Sequence, residues 1–326
     1  MFEGIKSVNS ESKTNGVMYS IYRFIRFLGN KLIQFNSRFK RAALEFMDRH
    51  ALNSYLKSDR RPWRFGYGVY RNKYLADIIY NPSTLEIFLK LQPLPLGYGF
   101  RLDARIVEIP WALARVAEQM GRLLDAGSSL NHEGVLGAPP LAGKKITIVT
   151  LAPETECHWK KGISYVFDDL RNLEFRDEYF DIITCISTIE HVGMDNTMYT
   201  GTSDETRGRN TSDFILAIKE VRRVLKPRGV LYITFPFGKY ENHGWFQQFD
   251  SQLTDTLIRE FAPSHFQEAV FRYDPDGWKL SDRASCADCR FFDVHKSKYF
   301  DPKSTIEYPP DYPAGERAVA CLELYK

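Results

Sequence analysis

The stretch GRLLDAGSSLNHEG, which begins at Gly121, joins apolar residues to an acidic side chain and a turn. Asp125 ends the apolar run, and Gly127 lets the chain reverse close to a ligand because it has no Cβ. This pattern is typical of a strand that ends beside a nucleotide-like ligand. A dinucleotide fingerprint needs three glycines spaced as G-x-G-x-x-G, and here Ser128 and a second serine follow the glycine, so NAD is disfavoured.

A second group of chemically capable residues is the pair in CADC, Cys286 and Cys289, with His295 further on. A structural zinc site needs four ligands, and no second C-x-x-C follows, so we predict no metal site. The simpler interpretation is that the two thiols pack within an aromatic-rich insertion at about 274–315. The sequence also lacks a P-loop, a G-x-S-x-G elbow and an HExxH motif, which leaves kinase and hydrolase functions without support.

Alternating strand-like and helix-like segments must position these residues. The predicted strands are 122–126, 145–151, 163–170, 180–188, 230–237, 268–273 and 317–324. The predicted helices are 103–120, the segment DFILAIKEVRRVLKPRG ended by Pro227 and Gly229, and 250–261. This order predicts an α/β fold, a Rossmann-like doubly wound sheet of about seven strands, mostly parallel with a C-terminal antiparallel hairpin and preceded by a helical N-terminal extension.

The first 73 residues carry 15 Lys and Arg against 5 Asp and Glu, although the whole chain has a net charge of only +3. Apolar residues recur there at alternating spacings of four and three, which predicts a basic amphipathic helix. They are Ile21, Ile25, Leu28, Leu32, Phe35, Phe39, Ala42 and Phe46. Such a helix can dock on the body of the protein, on a second copy in a homo-oligomer, or on an anionic membrane surface. Nucleic acid is an unlikely partner because no recognised RNA-binding module accompanies the charge.

Three segments in this order resemble the class I S-adenosylmethionine-dependent methyltransferases, in particular those that act on small molecules. LLDAGS resembles their first motif, FDDLRNLEFRDEYFDIITCISTIEHV the region from the third to the fourth strand, and EVRRVLKPRGVLYITFPFG the helix and fifth strand that follow. The resemblance covers about 103–273 and, more weakly, the last strand. It implies a seven-stranded sheet with the cofactor, S-adenosyl-L-methionine, over the carboxyl ends of the first strands.

The resemblance implies roles for residues at the first two strand ends. Gly127 and the amides after it lie beside the methionine end of the cofactor, Asp125 holds the turn or accepts from the ammonium group, and Ser128 can donate to the carboxylate. Thr150 stands where the family has an acidic residue that accepts both ribose hydroxyls, and Glu154 lies one turn later as a substitute. Each lost hydrogen bond to a charged group would cost about 1.5–3 kcal/mol of binding.

The third and fourth strand ends complete the implied cofactor contacts. Asp168 and Asp169 are placed to accept from the adenine amino group, and the backbone amide of Leu170 to contact the ring edge. Ser187, at the end of the fourth strand, would line the methionine side.

Two histidines are candidate catalytic residues. Methyl transfer from a sulfonium needs alignment more than covalent help, but a hydroxyl acceptor benefits from a base. His191 follows the fourth strand and can titrate near neutral pH; an equally supported interpretation is that it only structures its loop, with Glu190 orienting it or capping a helix. His243, with Trp245, follows the fifth strand as a second base or a pocket wall, although packing is the favoured interpretation.

We therefore expect a methyltransferase that methylates a small molecule, of sugar or glycolipid type, most simply at oxygen. The alternative is a methyltransferase-fold protein that has lost its cofactor and serves as an interaction or assembly subunit. The predicted domains are a basic extension, 1–100, and a methyltransferase-like domain, 101–326. The sequence shows no long apolar run, and its five cysteines are an odd number, which predicts a cytoplasmic protein that can also lie at the inner membrane surface through its first helix.

Overall fold

A computed structural model describes residues 37–201 and 210–326 as helices and strands of an α/β fold. Most of the predicted basic helix, 21–36, lies outside the described residues. The longer helices are α1 (Ser37–Lys57), α2 (Tyr67–Ile79), α3 (Pro82–Leu89), α4 (Arg105–Val116), α7 (Phe214–Val224) and α8 (Ser251–Phe261). The helices of a single turn are α5 (Glu133–Leu136), α6 (Thr197–Thr200) and α9 (Arg283–Cys286).

The strands confirm the predicted Rossmann-like sheet. They are β1 (Arg122–Ala126), β2 (Lys145–Thr150), β3 (Ser164–Phe167), β4 (Phe180–Ile186), β5 (Leu225–Pro236), β6 (Glu241–Asn242), β7 (Gln247–Gln248), β8 (His265–Asp274), β9 (Gly277–Ser281) and β10 (Ala318–Tyr325). The large sheet has the order β3-β2-β1-β4-β5-β10-β8-β9, in which β1 to β5 are parallel neighbours and β10 runs antiparallel between β5 and β8. The carboxyl ends of β1 to β4 therefore share one edge, where the candidate cofactor residues lie.

The edge of the sheet and the helix that leads into β5 both differ from the prediction. It has eight strands rather than about seven, because β9 adds an antiparallel edge strand within the predicted insertion, after a turn that Gly277 makes with a φ of +114°. The helix α7 ends at Val224 and not at Pro227, and β5 begins directly afterwards. The cause is that Lys226 precedes the proline, and the proline ring disfavours the helical conformation of the residue before it.

Parallel strands buried on both faces explain why these segments read as continuous apolar runs. In β4 every residue except Asp181 is buried, and α7 buries residues spaced three and four apart, from Phe214 through Val221 to Val224. Phe180, Ile183 and Cys185 of β4 share one apolar core with these helix residues and with Phe235 of β5. The core fixes the strand ends on which the candidate site is built.

Contacts group the chain into two units. The described part of the first unit is 37–74, 101–103 and 292–315, and the second is 75–100, 104–291 and 316–326. In the first unit, Trp63 Nε1 donates to the carbonyl of Ala314 at 2.8 Å, and the Arg64 guanidinium lies 4.5 Å from the ring centre of Tyr299. The aromatic residues after 292 thus pack against residues near position 63. The domain boundary at residue 100 stays a prediction.

Candidate cofactor and acceptor site

Asp125 holds the turn after β1 from a buried position. Its Oδ2 accepts from the backbone amide of Leu130 at 2.8 Å, and its Oδ1 accepts from Thr184 Oγ1 at 3.1 Å. Burial raises the pKa of Asp125 to about 7, although both hydrogen bonds oppose the rise. The structure therefore places Asp125 as a support for the turn, with both carboxylate oxygens engaged.

The turn itself fits only a glycine at its first position. Gly127 has a φ of +105°, and a Cβ there would lie 2.0 Å from Thr188 Oγ1. Ser128 also has a positive φ, +64°, and its buried hydroxyl has no hydrogen-bond partner among the described residues. The next hydroxyl, Ser129 Oγ, donates to the carbonyl of Ile186 at 2.5 Å and joins the ends of β1 and β4. The Ser128 hydroxyl is thus available to a polar ligand at this turn.

The end of β2 carries Thr150, which is half-buried, and the loop beyond it carries Glu154. The charge of Glu154 contributes to the raised pKa of Asp125, so this carboxylate acts electrostatically on the β1 turn. Asn131 links the two loops, because its Nδ2 donates to the carbonyl of Glu156 at 3.1 Å. The role of Glu154 as a substitute ribose acceptor stays a prediction.

The residues after β3 form a compact turn. Asp168 accepts from the amides of Asp169 at 2.8 Å and Glu174 at 2.9 Å, and its own amide donates to the carbonyl of Thr150 at 3.1 Å. The side chain of Leu170 is buried. Asp168 is therefore held at the carboxyl edge, and each of its oxygens retains a further lone pair for a ligand.

Asp169 has a structural partner instead of a free carboxylate. Arg171 Nη2 lies 2.7 Å from Asp169 Oδ2, and its Nη1 lies 2.5 Å from Asp213 Oδ2. The guanidinium thus ties the turn after β3 to the residue that precedes α7. Of the two predicted adenine acceptors, Asp169 is thus engaged by an ion pair within the protein, and the adenine contact of each stays a prediction.

Ser187 belongs to a hydrogen-bonded cluster that the sequence analysis missed. Ser187 Oγ donates to Glu108 Oε1 at 2.5 Å, and Thr234 Oγ1 donates to the same oxygen at 2.7 Å. Arg105 Nη1 donates to Glu108 Oε2 at 3.1 Å and to the carbonyl of Ile186 at 3.2 Å. The only sequence signal is an acidic residue within an apolar helix, three positions after an arginine. This cluster fixes the backbone at the end of β4, where Ser187 has a φ of +39°.

His191 follows β4 in a short 3₁₀ turn and is held by the loop after β5. Its Nδ1 lies 2.9 Å from the carbonyl oxygen of Trp245. A carbonyl can only accept, so Nδ1 carries the proton and Nε2 keeps its lone pair. Burial lowers the pKa of His191 to about 4, although the bond to Trp245 opposes this shift. His191 is therefore a neutral imidazole near neutral pH, with Nε2 as its proton acceptor.

Glu190 faces that acceptor nitrogen. Glu190 Oε1 lies 3.8 Å from His191 Nε2, while Oε2 is buried without a hydrogen-bond partner among the described residues. Burial raises the pKa of Glu190 well above its usual range. The neutral carboxyl form is thus favoured beside a neutral imidazole.

His243 reaches the same aromatic cluster from the β6–β7 hairpin. Its ring stacks on Phe246 with centroids 4.5 Å apart and an interplanar angle of 3°, and Phe246 also contacts His191 at 5.9 Å. His243 Nε2 lies 3.5 Å from Glu241 Oε2. Trp245 completes the cluster, 5.3 Å from the His191 ring. The structure brings the two predicted histidines together around Phe246, with His191 nearer the strand ends.

No three His, Cys, Asp or Glu side chains converge as a metal site anywhere in 37–201 or 210–326. Across those same ranges, no helix has the length and apolar character that crossing a membrane requires.

The comparison with protein families decides the identity of this fold. Residues 136–233 match the family described as a methyltransferase domain. These residues thus belong to a methyltransferase domain. The predicted family, enzyme class and cofactor are therefore confirmed. No curated protein matches the chain. The family match covers Thr150, Asp168 and His191. Gly127 precedes the matched residues and His243 follows them.

Solved structures similar to this methyltransferase domain have low identity to it. One is the 1,6-didemethyltoxoflavin-N1-methyltransferase of Burkholderia thailandensis, bound to 1,6-didemethyltoxoflavin and S-adenosylhomocysteine, with 14% identity over 66% of this chain and 78% of that chain and a TM-score of 0.38. Another is an S-adenosylmethionine-dependent methyltransferase of Thermotoga maritima, with 15% identity over 68% and 93% of the two chains and a TM-score of 0.39.

Proposed function

We propose that this methyltransferase binds S-adenosylmethionine at the ends of β1 to β4 and methylates a hydroxyl group of a small molecule, of sugar or glycolipid type. The cofactor supplies an electrophilic methyl group on a sulfonium. The chain supplies the binding turns, the alignment of the acceptor and a base.

The residues at the strand ends fit such a cofactor. The buried hydroxyl of Ser128, which has no hydrogen-bond partner among the described residues, would donate to its carboxylate. Asp168, held by two backbone amides, would accept from the adenine amino group, and Glu154 would accept from the ribose in place of the missing acidic residue at Thr150. Asp125 would keep the turn in place, since both of its oxygens already accept hydrogen bonds within the protein.

A single observation carries the proposal of a hydroxyl acceptor: the hydrogen bond between His191 Nδ1 and the carbonyl of Trp245. It fixes the tautomer that leaves Nε2 unprotonated, and a hydroxyl acceptor must lose a proton as it becomes an ether. Nε2 would take that proton. Tyr199 and Trp245, whose rings lie 5.4 and 5.3 Å from His191, would form the apolar wall against which a sugar or lipid-linked acceptor packs.

Cofactor binding is tested first, by isothermal titration with S-adenosylhomocysteine. We expect micromolar affinity that is lost in Gly127→Val and strongly reduced in Asp168→Ala. Circular dichroism and thermal melting of each variant separate lost binding from lost folding. Failure of the folded wild-type protein to bind millimolar ligand would overturn the enzymatic proposal and favour the alternative of an interaction subunit.

The acceptor class is tested separately, with methyl-deuterated S-adenosylmethionine and panels of sugars, glycolipids and amines. We expect the label on an oxygen atom, and we expect His191→Ala to lose at least about 100-fold in kcat, the usual contribution of a general base. His191→Ala should still bind S-adenosylhomocysteine. Label on nitrogen, or full activity without His191, would refute the hydroxyl acceptor and the base while leaving cofactor binding intact.

A further inference from the structure

Cys286 and Cys289 form a thiol pair that the proposed methyl transfer does not use. The amide of Cys289 donates to the carbonyl of Cys286 at 2.9 Å, which closes a β-turn. A turn of this kind keeps its first and last Cα atoms within about 7 Å, which overlaps the roughly 4.4–6.8 Å span of a disulfide. Cys286 and Cys289 are both free cysteines in this structure.

The backbone of this turn is fixed by the segment after β5. The carbonyl of Cys289 accepts from the amide of Lys239 and from Gln248 Nε2, each at 2.9 Å. Gly238 packs so closely that a Cβ there would lie 2.1 Å from the same carbonyl oxygen. Because the Cys289 end of the turn is held by these contacts, less conformational entropy remains to be lost when the sulfurs bond.

The two sulfurs have different environments. Cys286 is fully buried at the end of α9 and donates to Ser281 Oγ at 3.5 Å, whereas Cys289 is half-buried and its neighbour Asp288 is exposed. The neighbouring Cys286 side chain lowers the pKa of Cys289 to about 7, and Arg272 contributes in the same direction. The pKa of Cys286 is raised. Such asymmetry is typical of a dithiol with one attacking and one resolving sulfur.

We propose that Cys286 and Cys289 are a redox site that closes to an intramolecular disulfide by exchange with a low-molecular-weight disulfide. The Cys289 thiolate attacks one sulfur of the small disulfide, forms a mixed disulfide and releases one small thiolate. Cys286 then loses its proton, attacks Cys289 Sγ and releases the second. The protein loses two electrons and two protons, which appear as two molecules of small thiol.

The test is equilibration of the full chain in glutathione redox buffers, followed by acid quenching, alkylation and mass spectrometry. Trypsin cleavage after Arg283 and Arg290 places both cysteines in one peptide. With excess oxidised glutathione we expect that peptide to lose two hydrogens and to resist alkylation, and dithiothreitol to restore it. Cys157→Ser, which removes an exposed cysteine, is the matched control and should leave the disulfide unchanged.

The single variants test the order of attack. Cys286→Ser should stop at a glutathione adduct on Cys289, whereas Cys289→Ser should leave Cys286 unmodified. In the wild-type protein, the alkylation rate of Cys289 should rise with a midpoint near pH 7 instead of the roughly 8.5 of a free thiol. Full alkylation of both cysteines after equilibration with excess oxidised glutathione would overturn the proposal, and so would an adduct confined to Cys157. Neither result depends on methyl transfer.

Discussion

Asp125 offers the sharpest test of the candidate site, because one substitution separates its charge from its hydrogen bonds. In Asp125→Asn the side-chain oxygen can still accept from the amide of Leu130, and the new amide group can donate to Thr184 Oγ1. The shape of the turn should therefore survive. The substitution removes only the ability to ionise in a fully buried position.

The expected effect follows from the pKa of Asp125, which burial raises from 3.8 to about 7. Between these two pH values the unfolded chain is ionised at this residue and the folded chain is protonated. The folded state therefore binds more protons there, so this residue makes the wild-type protein less stable as pH rises. The difference of about 3 pKa units corresponds to about 4 kcal/mol at and above pH 7, of which about 3 kcal/mol develops between pH 5 and pH 8.

The assay is urea unfolding of the wild type and Asp125→Asn at several pH values. The titration of all other groups affects both proteins alike, so it cancels in the difference between their free energies of unfolding. The free energy of unfolding of the variant, minus that of the wild type, should increase by about 3 kcal/mol from pH 5 to pH 8. The matched control is Asp276→Asn, which removes an exposed carboxylate from the β8–β9 turn. Parallel stability curves for wild type and Asp125→Asn would refute the buried, neutral carboxyl.

Three further predictions concern residues that hold the site and the core. Gly127→Ala should lower the free energy of unfolding by at least about 2 kcal/mol, because φ is +105° and Thr188 Oγ1 lies 2.0 Å from the new Cβ. The control is Gly134→Ala, which has open space around it and should be neutral or stabilising in the same urea titration. Arg115→Leu should cost about 3–5 kcal/mol in urea unfolding, because it strips the buried Glu323 of the Nε contact at 3.0 Å; adding Glu323→Leu should recover part of that loss. His191 has a pKa of about 4 in the folded protein against about 6.5 in the unfolded chain, so the unfolded state takes up the proton first as pH falls. Protonation therefore favours the unfolded state, and the free energy of unfolding of the wild type, relative to that of His191→Gln, should fall by about 3 kcal/mol from pH 7 to pH 4 in urea titrations.

Each of these predictions has a distinct contrary result. Equal stabilities for Gly127→Ala and Gly134→Ala would show that the turn relaxes without cost. A double variant at 115 and 323 no more stable than Arg115→Leu would show that the arginine acts by packing alone. A constant difference between wild type and His191→Gln across pH would mean that the imidazole is not desolvated.

Much of the fold is predictable because its signals are local. The apolar runs that became β1, β2, β4 and β5 are each bounded by turn residues, and their order along the chain allows few sheet topologies. The edge strand β9 was missed because Gly277–Ser281 is short and carries only partial burial on its outer half. The early end of α7 was missed because the helical apolar spacing continues to Leu225. The proline two residues later disfavours the helical conformation of Lys226, the residue before it.

The site was only partly predictable, since its residues come from elements that the chain brings together from afar. Turn residues such as Gly127 announce themselves by type. Glu108 does not: it is 79 positions from Ser187 and 126 from Thr234, and both side chains donate to it. Likewise Arg171, which forms an ion pair with Asp169, donates to Asp213, a residue that lies 42 positions further along the chain. Sequence motifs identify polar residues at strand ends, but they do not identify which of these residues are already hydrogen-bonded or ion-paired to other side chains of the protein.

Protonation is the property furthest from the sequence. Asp125, Glu190 and His191 are all shifted toward their neutral forms, and desolvation is the largest cause for each. That desolvation is supplied by remote partners: β2 and β4 flank Asp125, and Trp245 lies 54 positions from His191. The residue types alone would assign ionised carboxylates and a half-protonated imidazole near pH 6.5. Their measured pH dependence would therefore report on tertiary packing, and it would distinguish a buried neutral base from a solvated histidine on the same motif.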